Sequence, residues 1–475
     1  IFYRSYNFFM FNSLEKFKKN ISFEDDKGKS LSYLDILSFA DHFNKLIPPR
    51  SLVFCLCSNN EESVIGYVSF IKNKIVPLLL DSSLDEDSVK KLCSKYNPDY
   101  LWMPSSRIEK FINTKVLFSY KEYSLISYIN SKGNQLHSEL ALLLTTSGST
   151  GSPKLVRISY KNLKSNAESI SKYLSIDKNQ RPITSLPMSY SFGLSIINSH
   201  LINGARILLT SRSLMEKDFW NFLKNKKATS ISGVPYSFEI LKRLRFFNMD
   251  LPSLKVLTQA GGRLHKDLVK DFATYCNDNK KSFYVMYGQT EATARMSYVP
   301  QNFLLEKLDS IGIAIPGGSF SIIDENGQDI HKNEKTGELK YTGPNVSLGY
   351  ANSRSDLYKG DENEGNLLTG DLAKRDEDGF YYIVGRKKRF IKVFGNRINL
   401  DEMEQLVKEV TEDVACSGTD DNMLIYLKNK NMTEVVKKYI TKRTGIHFKA
   451  FKLIIIEEIP KNLSGKILYT KLPKE

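Results

Sequence analysis

Residues 145–154 read Thr145-Thr146-Ser147-Gly148-Ser149-Thr150-Gly151-Ser152-Pro153-Lys154 and follow the apolar run 140–144. A buried strand that empties into hydroxyls, two glycines and a lysine offers many N–H and O–H donors to a polyanion, and glycine permits its close approach. The stretch reads as a phosphate cradle. In the usual nucleotide-triphosphatase loop Lys directly follows the second Gly and a metal-binding hydroxyl comes next, whereas here Ser152-Pro153 intervene and Leu155 follows Lys154. A solvated Ser/Gly linker is the competing reading. The surroundings decide between them.

On both sides of the cradle the pattern alternates between short apolar strands and amphipathic helices. Strands are predicted at 51–58, 75–80 and 100–103, with helices at 61–72 and 85–96. Beyond the cradle, helices are predicted at 160–174, 194–203, 215–226, 236–246 and 265–276, and extended segments at 183–186, 205–210, 230–232, 255–258 and 283–286. Such alternation implies mostly parallel sheets covered on both faces, with functional loops at the strands' C-terminal ends. After about residue 306 glycine-rich turns separate short strands, among them 319–323 and 337–341, which reads as a β-rich subdomain over 306–385. Gly385-Arg386-Lys387-Lys388-Arg389 is a plausible boundary, followed by strand and helix segments that end in 460–466. The expected fold is therefore α/β: a large N-terminal domain (1–385) of stacked, mostly parallel αβ sheets, and a small α+β C-terminal domain (386–475).

Bulk composition agrees with a globular protein of at least two domains, since 475 residues exceed what one core usually accommodates. Hydrophobic residues make up 41% and aromatics 11%, which excludes a disordered chain. The net charge of +15 raises the question of a nucleic-acid partner, but the lysines are scattered among Asn and Ser and read as solvated surface. No nucleic acid is expected. The five cysteines are widely spread and lack zinc-ligand spacing, which suits reduced thiols in a cytoplasmic protein; Cys55 and Cys57 should share one core face of a strand. No apolar run reaches transmembrane length, and residues 1–11, broken by Arg4 and Asn7, make a poor signal peptide. Met10 is the expected native start.

Three further stretches carry chemistry. Tyr287-Gly288-Gln289-Thr290-Glu291 puts an aromatic ring, a hydroxyl and a carboxylate at a strand end, suited to a base, a phosphate oxygen and Mg²⁺ respectively. Thr369-Gly370-Asp371-Leu372 offers a carboxylate after a tight turn, an acceptor for a ribose diol. Pro460-Lys461-Asn462-Leu463-Ser464-Gly465-Lys466 ends in a single lysine. Taken singly, a core tyrosine, a turn Asp and a tail lysine would explain them as well.

In this order, with the cradle, these stretches resemble the motifs of the adenylate-forming superfamily of acyl-CoA synthetases, nonribosomal-peptide adenylation domains and luciferases, over about residues 31–466. The wording of 186–200 and 287–300 resembles bacterial synthetase-like proteins of surface-polysaccharide pathways. The resemblance implies an acid–thiol ligase: a carboxylate attacks the α-phosphate of Mg·ATP, pyrophosphate leaves, and a thiol displaces AMP. The thiol would be CoA or the phosphopantetheine of an acyl carrier protein. Carried over by position, Lys466, Thr290, Glu291 and Lys392 are the catalytic candidates, with Glu291 on Mg²⁺. Thr146, Ser147, Gly148, Ser149, Thr150, Gly151 and Lys154 would bind phosphates, Tyr287 and Gly261 the adenine, and Asp371 and Arg386 the ribose. Tyr190, Phe192, Ser195, Gly233 and Gly262 would line the acyl pocket. Lys388 would be the hinge about which a mobile C-terminal domain rotates.

Some features depart from the family pattern. Tyr190 stands where His is frequent, and 189–199 holds no acid to pair an ammonium, which argues against an ordinary α-amino acid. Ser195 and Asn198 suggest a short or partly polar acid. The segment 416–422 reads as a shortened turn. Transfer to an amine, a luciferase-type oxygenation and a catalytically silent nucleotide-binding protein are the competing functions.

Overall fold

The computed structural model describes residues 10–111, 114–128, 136–145, 154–387, 389–393, 396–419, 422–444, 446–461 and 465–473. Two large sheets and a smaller one form the bulk of the chain. Among the described residues, one sheet runs in the order Ile313–Ala314, Ser297–Tyr298, Ser282–Tyr287, Val256–Gln259, Ser230–Gly233, Pro182–Ile183, Ile207–Leu209, Ile21–Asp25, Ser30–Ser32. Its pairings from Ile21–Asp25 through Ser282–Tyr287 are parallel, and its margins are antiparallel. The second sheet has Leu140–Thr145, Val76–Asp81, Leu52–Cys57 and Tyr100–Pro104 in parallel at its centre and antiparallel partners outside them.

The reason for this stacking lies in strands that are apolar on both sides. In Leu52–Cys57 every residue is buried. Val53, Cys55 and Cys57 join the core cluster shared with the Tyr33–Leu46, Glu61–Lys72 and Ser191–Leu201 helices, while Leu52, Phe54 and Leu56 join another with the Glu86–Tyr96 helix. The remaining face of the first sheet is covered by Lys217–Asn225, Pro235–Arg243 and Lys266–Asp278. Helix and sheet layers thus alternate, with one helical layer common to both sheets. All five cysteines are buried and unpaired.

Several local expectations change. The strand before the cradle, Leu140–Thr145, pairs antiparallel with an additional strand after it, Leu155–Ser159. The helix expected from 194 starts at Ser191. The segment 183–186 shrinks to Pro182–Ile183, since Ser185 onward turns toward the site. Part of 416–422, read as a turn, is strand: Val414–Thr419 pairs with Asn422–Leu427 in register, so Cys416 is a buried sheet residue.

The β-rich stretch forms a sheet ordered Ser319–Ile323, Gly337–Thr342, Asn366–Arg375, Tyr381–Arg386. C-terminal to it, Leu400–Lys408 and Thr433–Thr444 pack on the sheet of Val414–Thr419, Asn422–Leu427 and Phe451–Ile455 around a core of their own. Among the described residues no helix is long and apolar enough to cross a membrane.

Candidate active site

The parallel strands of the first sheet end side by side at Gly233, Gln259 and Tyr287, the edge where an open α/β sheet gathers its loops. Gly288 makes the turn out of the last strand possible, because a Cβ there would stand 1.9 Å from the Ala294 carbonyl oxygen. The turn delivers Thr290 and Glu291. Thr290 Oγ1 lies 3.2 Å from Ser191 Oγ at the start of the Ser191–Leu201 helix. Glu291 Oε1 accepts a hydrogen bond from the Tyr350 hydroxyl at 2.7 Å, and the Tyr350 ring has Lys154 Nζ 5.5 Å from its centre. Tyr350 therefore ties the carboxylate of one motif to the lysine that closes the cradle.

Asp371 comes from the neighbouring small sheet, where it pairs with Arg386 across the strands. It is 3% exposed. Its Oδ1 accepts from Arg386 Nε at 3.0 Å, and its Oδ2 from the Tyr287 hydroxyl at 2.5 Å and from Gln289 Nε2 at 3.0 Å. Burial raises its carboxyl above the usual range against the opposing pull of Arg386, Tyr287 and Gln289. Burial, and then the facing Asp371 carboxylate, push the Tyr287 hydroxyl well up, so it stays a donor. The sequence analysis expects Tyr287 at a base and Asp371 at a diol; in the structure the two bind each other, through a network that Gln289 completes.

Lys466 reaches this edge from the far end of the chain. Its Nζ lies 5.8 Å from the centre of the Tyr190 ring. Desolvation and then the Arg386 charge lower its affinity for a proton, opposed by Glu291 and Asp371. Gly465, at φ +76°, sits where a Cβ would be 3.3 Å from Tyr236 Cβ, so the residue before Lys466 rests directly on the N-terminal unit.

Of the expected acyl-pocket residues, Tyr190 stands next to Lys466. Burial pushes the Tyr190 hydroxyl up to about 12, which keeps it neutral. A Cβ at Gly261 (φ +87°) would meet that hydroxyl at 2.5 Å, and one at Gly262 would meet Pro235 Cγ at 3.1 Å. Gly233 is similarly hemmed in by Ser237, at 2.6 Å. Phe192 joins Leu186, Ile196, Val234, Ala260 and Met286 in an apolar cluster. Ser195 Oγ accepts from Arg295 Nε at 3.1 Å and donates to Phe192 O at 2.7 Å. Asn198 is not turned to the strand-end edge: its Oδ1 accepts from the Tyr67 hydroxyl at 2.9 Å in the shared helical layer.

Thr146, Ser147, Gly148, Ser149, Thr150, Gly151 and Lys388 lie outside the described residues, as does the side chain of Lys392. Tyr350, Arg295 and the role of Gln289 went unnoticed in the sequence. Gln289 stood inside a quoted motif; nothing local marks Tyr350 or Arg295, whose partners are remote in the chain.

A lone glutamate beside a cradle suits Mg²⁺, which is commonly held by one or two carboxylates with the substrate's phosphates completing its shell. Among the described residues no group of three or more His, Cys, Asp or Glu could hold a metal ion.

The profile of the AMP-binding enzyme family matches residues 12–351. Luciferin 4-monooxygenase of Luciola mingrelica is 26% identical over 442 residues, covering 89% of this chain and 78% of that protein. A probable CoA ligase of Humulus lupulus is 28% identical over 362 residues, covering 73% of this chain and 65% of that protein, just under two thirds of its length. Among solved structures, o-succinylbenzoate CoA synthetase of Bacillus subtilis, in complex with its acyl-adenylate intermediate, aligns with a TM-score of 0.81 at 21% identity over 98% of both chains. The fold is shared from end to end.

Proposed function

The chain belongs to the AMP-binding enzyme family, and from that premise we propose that it activates a carboxylic acid as its acyl-adenylate, releases pyrophosphate, and passes the acyl group to a thiol. The observation that carries this reading is the meeting of Glu291, Asp371, Arg386 and Lys466, from separate stretches, at one sheet edge, with the Lys466 ammonium inside the field of the other three. Relatives named as a CoA ligase and a CoA synthetase support the thiol as acceptor. The one named as a monooxygenase leaves an oxygenation as a rival fate.

In the first half-reaction a carboxylate oxygen bonds to the α-phosphorus as the bond to the β-phosphate oxygen breaks. Two anions meet and charge builds at the α-phosphate, so preorganised donors and cations are needed there. Lys466 bridges the carboxylate and the nucleotide, Thr290 donates to the α-phosphate, and Lys154 with the cradle holds the phosphates that leave. Glu291 would hold Mg²⁺, which supplies charge neutralisation between the phosphates. Asp371 and Arg386 hold the ribose and Tyr287 lies against adenine. The thiol, of CoA or of a carrier protein, then displaces AMP with Lys392 on its path.

The test is acid-dependent ATP–pyrophosphate exchange over a panel of acids, with thioester formation followed separately from supplied acyl-adenylate. Lys466→Ala is expected to lower exchange by about 10²–10³-fold, the usual cost of losing one preorganised charge-stabilising donor, and to spare thioester formation. Equal loss of both half-reactions overturns the assignment of Lys466 to the first. Absence of exchange with every acid, despite ATP binding, favours a silent nucleotide-binding protein.

A further inference from the structure

Arg295 is 2% exposed and has no carboxylate within ion-pair distance among the described residues. Its partners are all neutral. Nε donates to Ser195 Oγ at 3.1 Å, Nη1 to the Tyr173 hydroxyl at 3.1 Å and more weakly to Met286 Sδ at 3.4 Å, while the guanidinium centre stands 5.0 Å from the centre of the Phe192 ring. Nη2 makes no hydrogen bond to a described residue. A buried cation with neutral company is costly to desolvate, and an apolar side chain would fill the space more cheaply if packing were all that mattered.

Its position gives the charge a use. Ser195 and Phe192 belong to the expected acyl pocket, Met286 shares an apolar cluster with Phe192, and the Ser191–Leu201 helix connects Ser195 and Phe192 to the expected reacting end. At the start of that helix Tyr190 faces Lys466 and Ser191 faces Thr290. One turn further on, Ser195 bonds Arg295. The helix positions that meet the two cationic side chains' neighbourhoods, Ser191 and Ser195, are thus one turn apart, roughly 5.4 Å along the axis. Tyr190 and Phe192 meet edge to face with centres 6.4 Å apart. A cavity lined by Leu163, Ser191, Ser195, Asn198 and Ala294 measures about 10 Å³, room for a single water.

We infer that Arg295 is the specificity residue of the acyl pocket and that the acid it admits is short and carries a second anionic group, bound by Arg295 while the first carboxylate reacts beside Lys466. The inference rests on the adenylation reading. It also gives the lack of an acid in 189–199 a positive meaning, because an ammonium at this end would meet a cation.

The experiment pairs succinate with succinamate and butyrate, which keep the length and lose the second charge, and adds malonate and adipate to bracket the length. ATP–pyrophosphate exchange is measured for the native protein, Arg295→Gln and Arg295→Lys, and acid-dependent thermal stabilisation in the presence of ATP is read in parallel. The native protein is expected to show a KM for its preferred diacid at least tenfold below that of the matching monoanionic acid, from the loss of a charge-assisted bond. Arg295→Gln should erase that preference with the KM for ATP unchanged, and Arg295→Lys should restore part of it. A purely structural Arg295 would alter stability without changing the ranking of acids. Exchange that favours succinamate or butyrate, or a diacid preference that survives Arg295→Gln, overturns the inference and leaves adenylation intact. Arg295-dependent stabilisation by a diacid without exchange has the reverse meaning: the anion site stands and adenylation falls. Should Arg295→Gln fail to fold, the native protein's ranking and the Arg295→Lys variant decide the matter; no diacid preference in either assay overturns it.

Discussion

Tyr350 illustrates how one hydroxyl couples parts of the chain that the sequence separates. It stands on Gly349–Ala351, the edge strand laid beside Leu155–Ser159, so pairing with that strand brings it next to Lys154. Its ring meets the lysine and its hydroxyl holds Glu291 Oε1 at 2.7 Å. The residue is 40% exposed, so the bond to the carboxylate should contribute about 1 kcal/mol, below the range for a fully sheltered charged pair. Tyr350→Phe keeps the ring and loses only the bond. The expected outcome is a rise of about fivefold in the apparent KM for Mg·ATP with kcat little changed, and initial rates at varied Mg·ATP check it. An unchanged KM would mean that Glu291 does not depend on this hydroxyl for its position. No reading of 349–351 alone reveals this, because the tyrosine follows a turn glycine and looks like surface until the strand pairing is known.

The Ser191–Leu201 helix is buried along its whole length, and it carries the pocket at one end and a histidine near the other. Its first turn lies before the predicted 194–203, and the structure needs a glycine at 193: a Cβ would stand 2.2 Å from the Pro187 carbonyl oxygen. Close approach, not flexibility, is the reason for that residue. Near the other end His200 is 4% exposed, with Nδ1 donating to Ile196 O at 2.8 Å and Nε2 without a partner among the described residues. Burial, with Arg295 adding to it, lowers its proton affinity to a pKa of about 4 from an ordinary 6.5. The unfolded chain takes up this proton before the native one does. Stability from the neutral imidazole is therefore full above about pH 6.5 and is lost as pH falls toward 4, a difference on the order of 3 kcal/mol. Denaturant melts of the native protein and His200→Asn at pH 7, 5.5 and 4.5 should show a shallower pH slope for the variant, and equal slopes would exclude His200 as the source.

Across the whole molecule, the described contacts between the C-terminal unit and the rest include exposed side chains. Its own core is closed, and Arg389 ties its first segment to Asp401 at 2.5 Å and to Glu404 at 2.6 Å, with the Tyr469 ring 3.8 Å away. Contacts back to the N-terminal unit include an exposed pair, Arg243 with Glu412 at 3.4 Å, and Lys461 and Lys466 over the Tyr236 and Tyr190 rings. An exposed ion pair such as Arg243 with Glu412 holds little free energy. On the proposed rotation, Lys388→Pro fixes φ near −65° at the hinge and should cut thioester formation at least tenfold while leaving pyrophosphate exchange within about twofold. Running both assays on one preparation checks it; an equal loss in both, or none in either, argues against rotation about this residue.

Much of the architecture was open to a reader of the chain, since buried strands and amphipathic helices announce themselves within a few residues through periodicity. The helix 61–72 was placed to the residue, and the paired core face of Cys55 and Cys57 followed from strand alternation alone. The order of the phosphate cradle, Tyr287 to Glu291, Thr369 to Asp371 and the terminal lysine likewise pointed to the family, because each motif is local. What no local pattern contains is contact between distant segments. The hairpin about the cradle, the bond from Tyr350 to Glu291, the sharing of Asp371 by Tyr287, Gln289 and Arg386, and the solitary Arg295 behind Ser195 all depend on which strands and helices become neighbours. That choice is made by burial of whole faces of sheet and helix, an energy summed over hundreds of atoms and carried by no single motif.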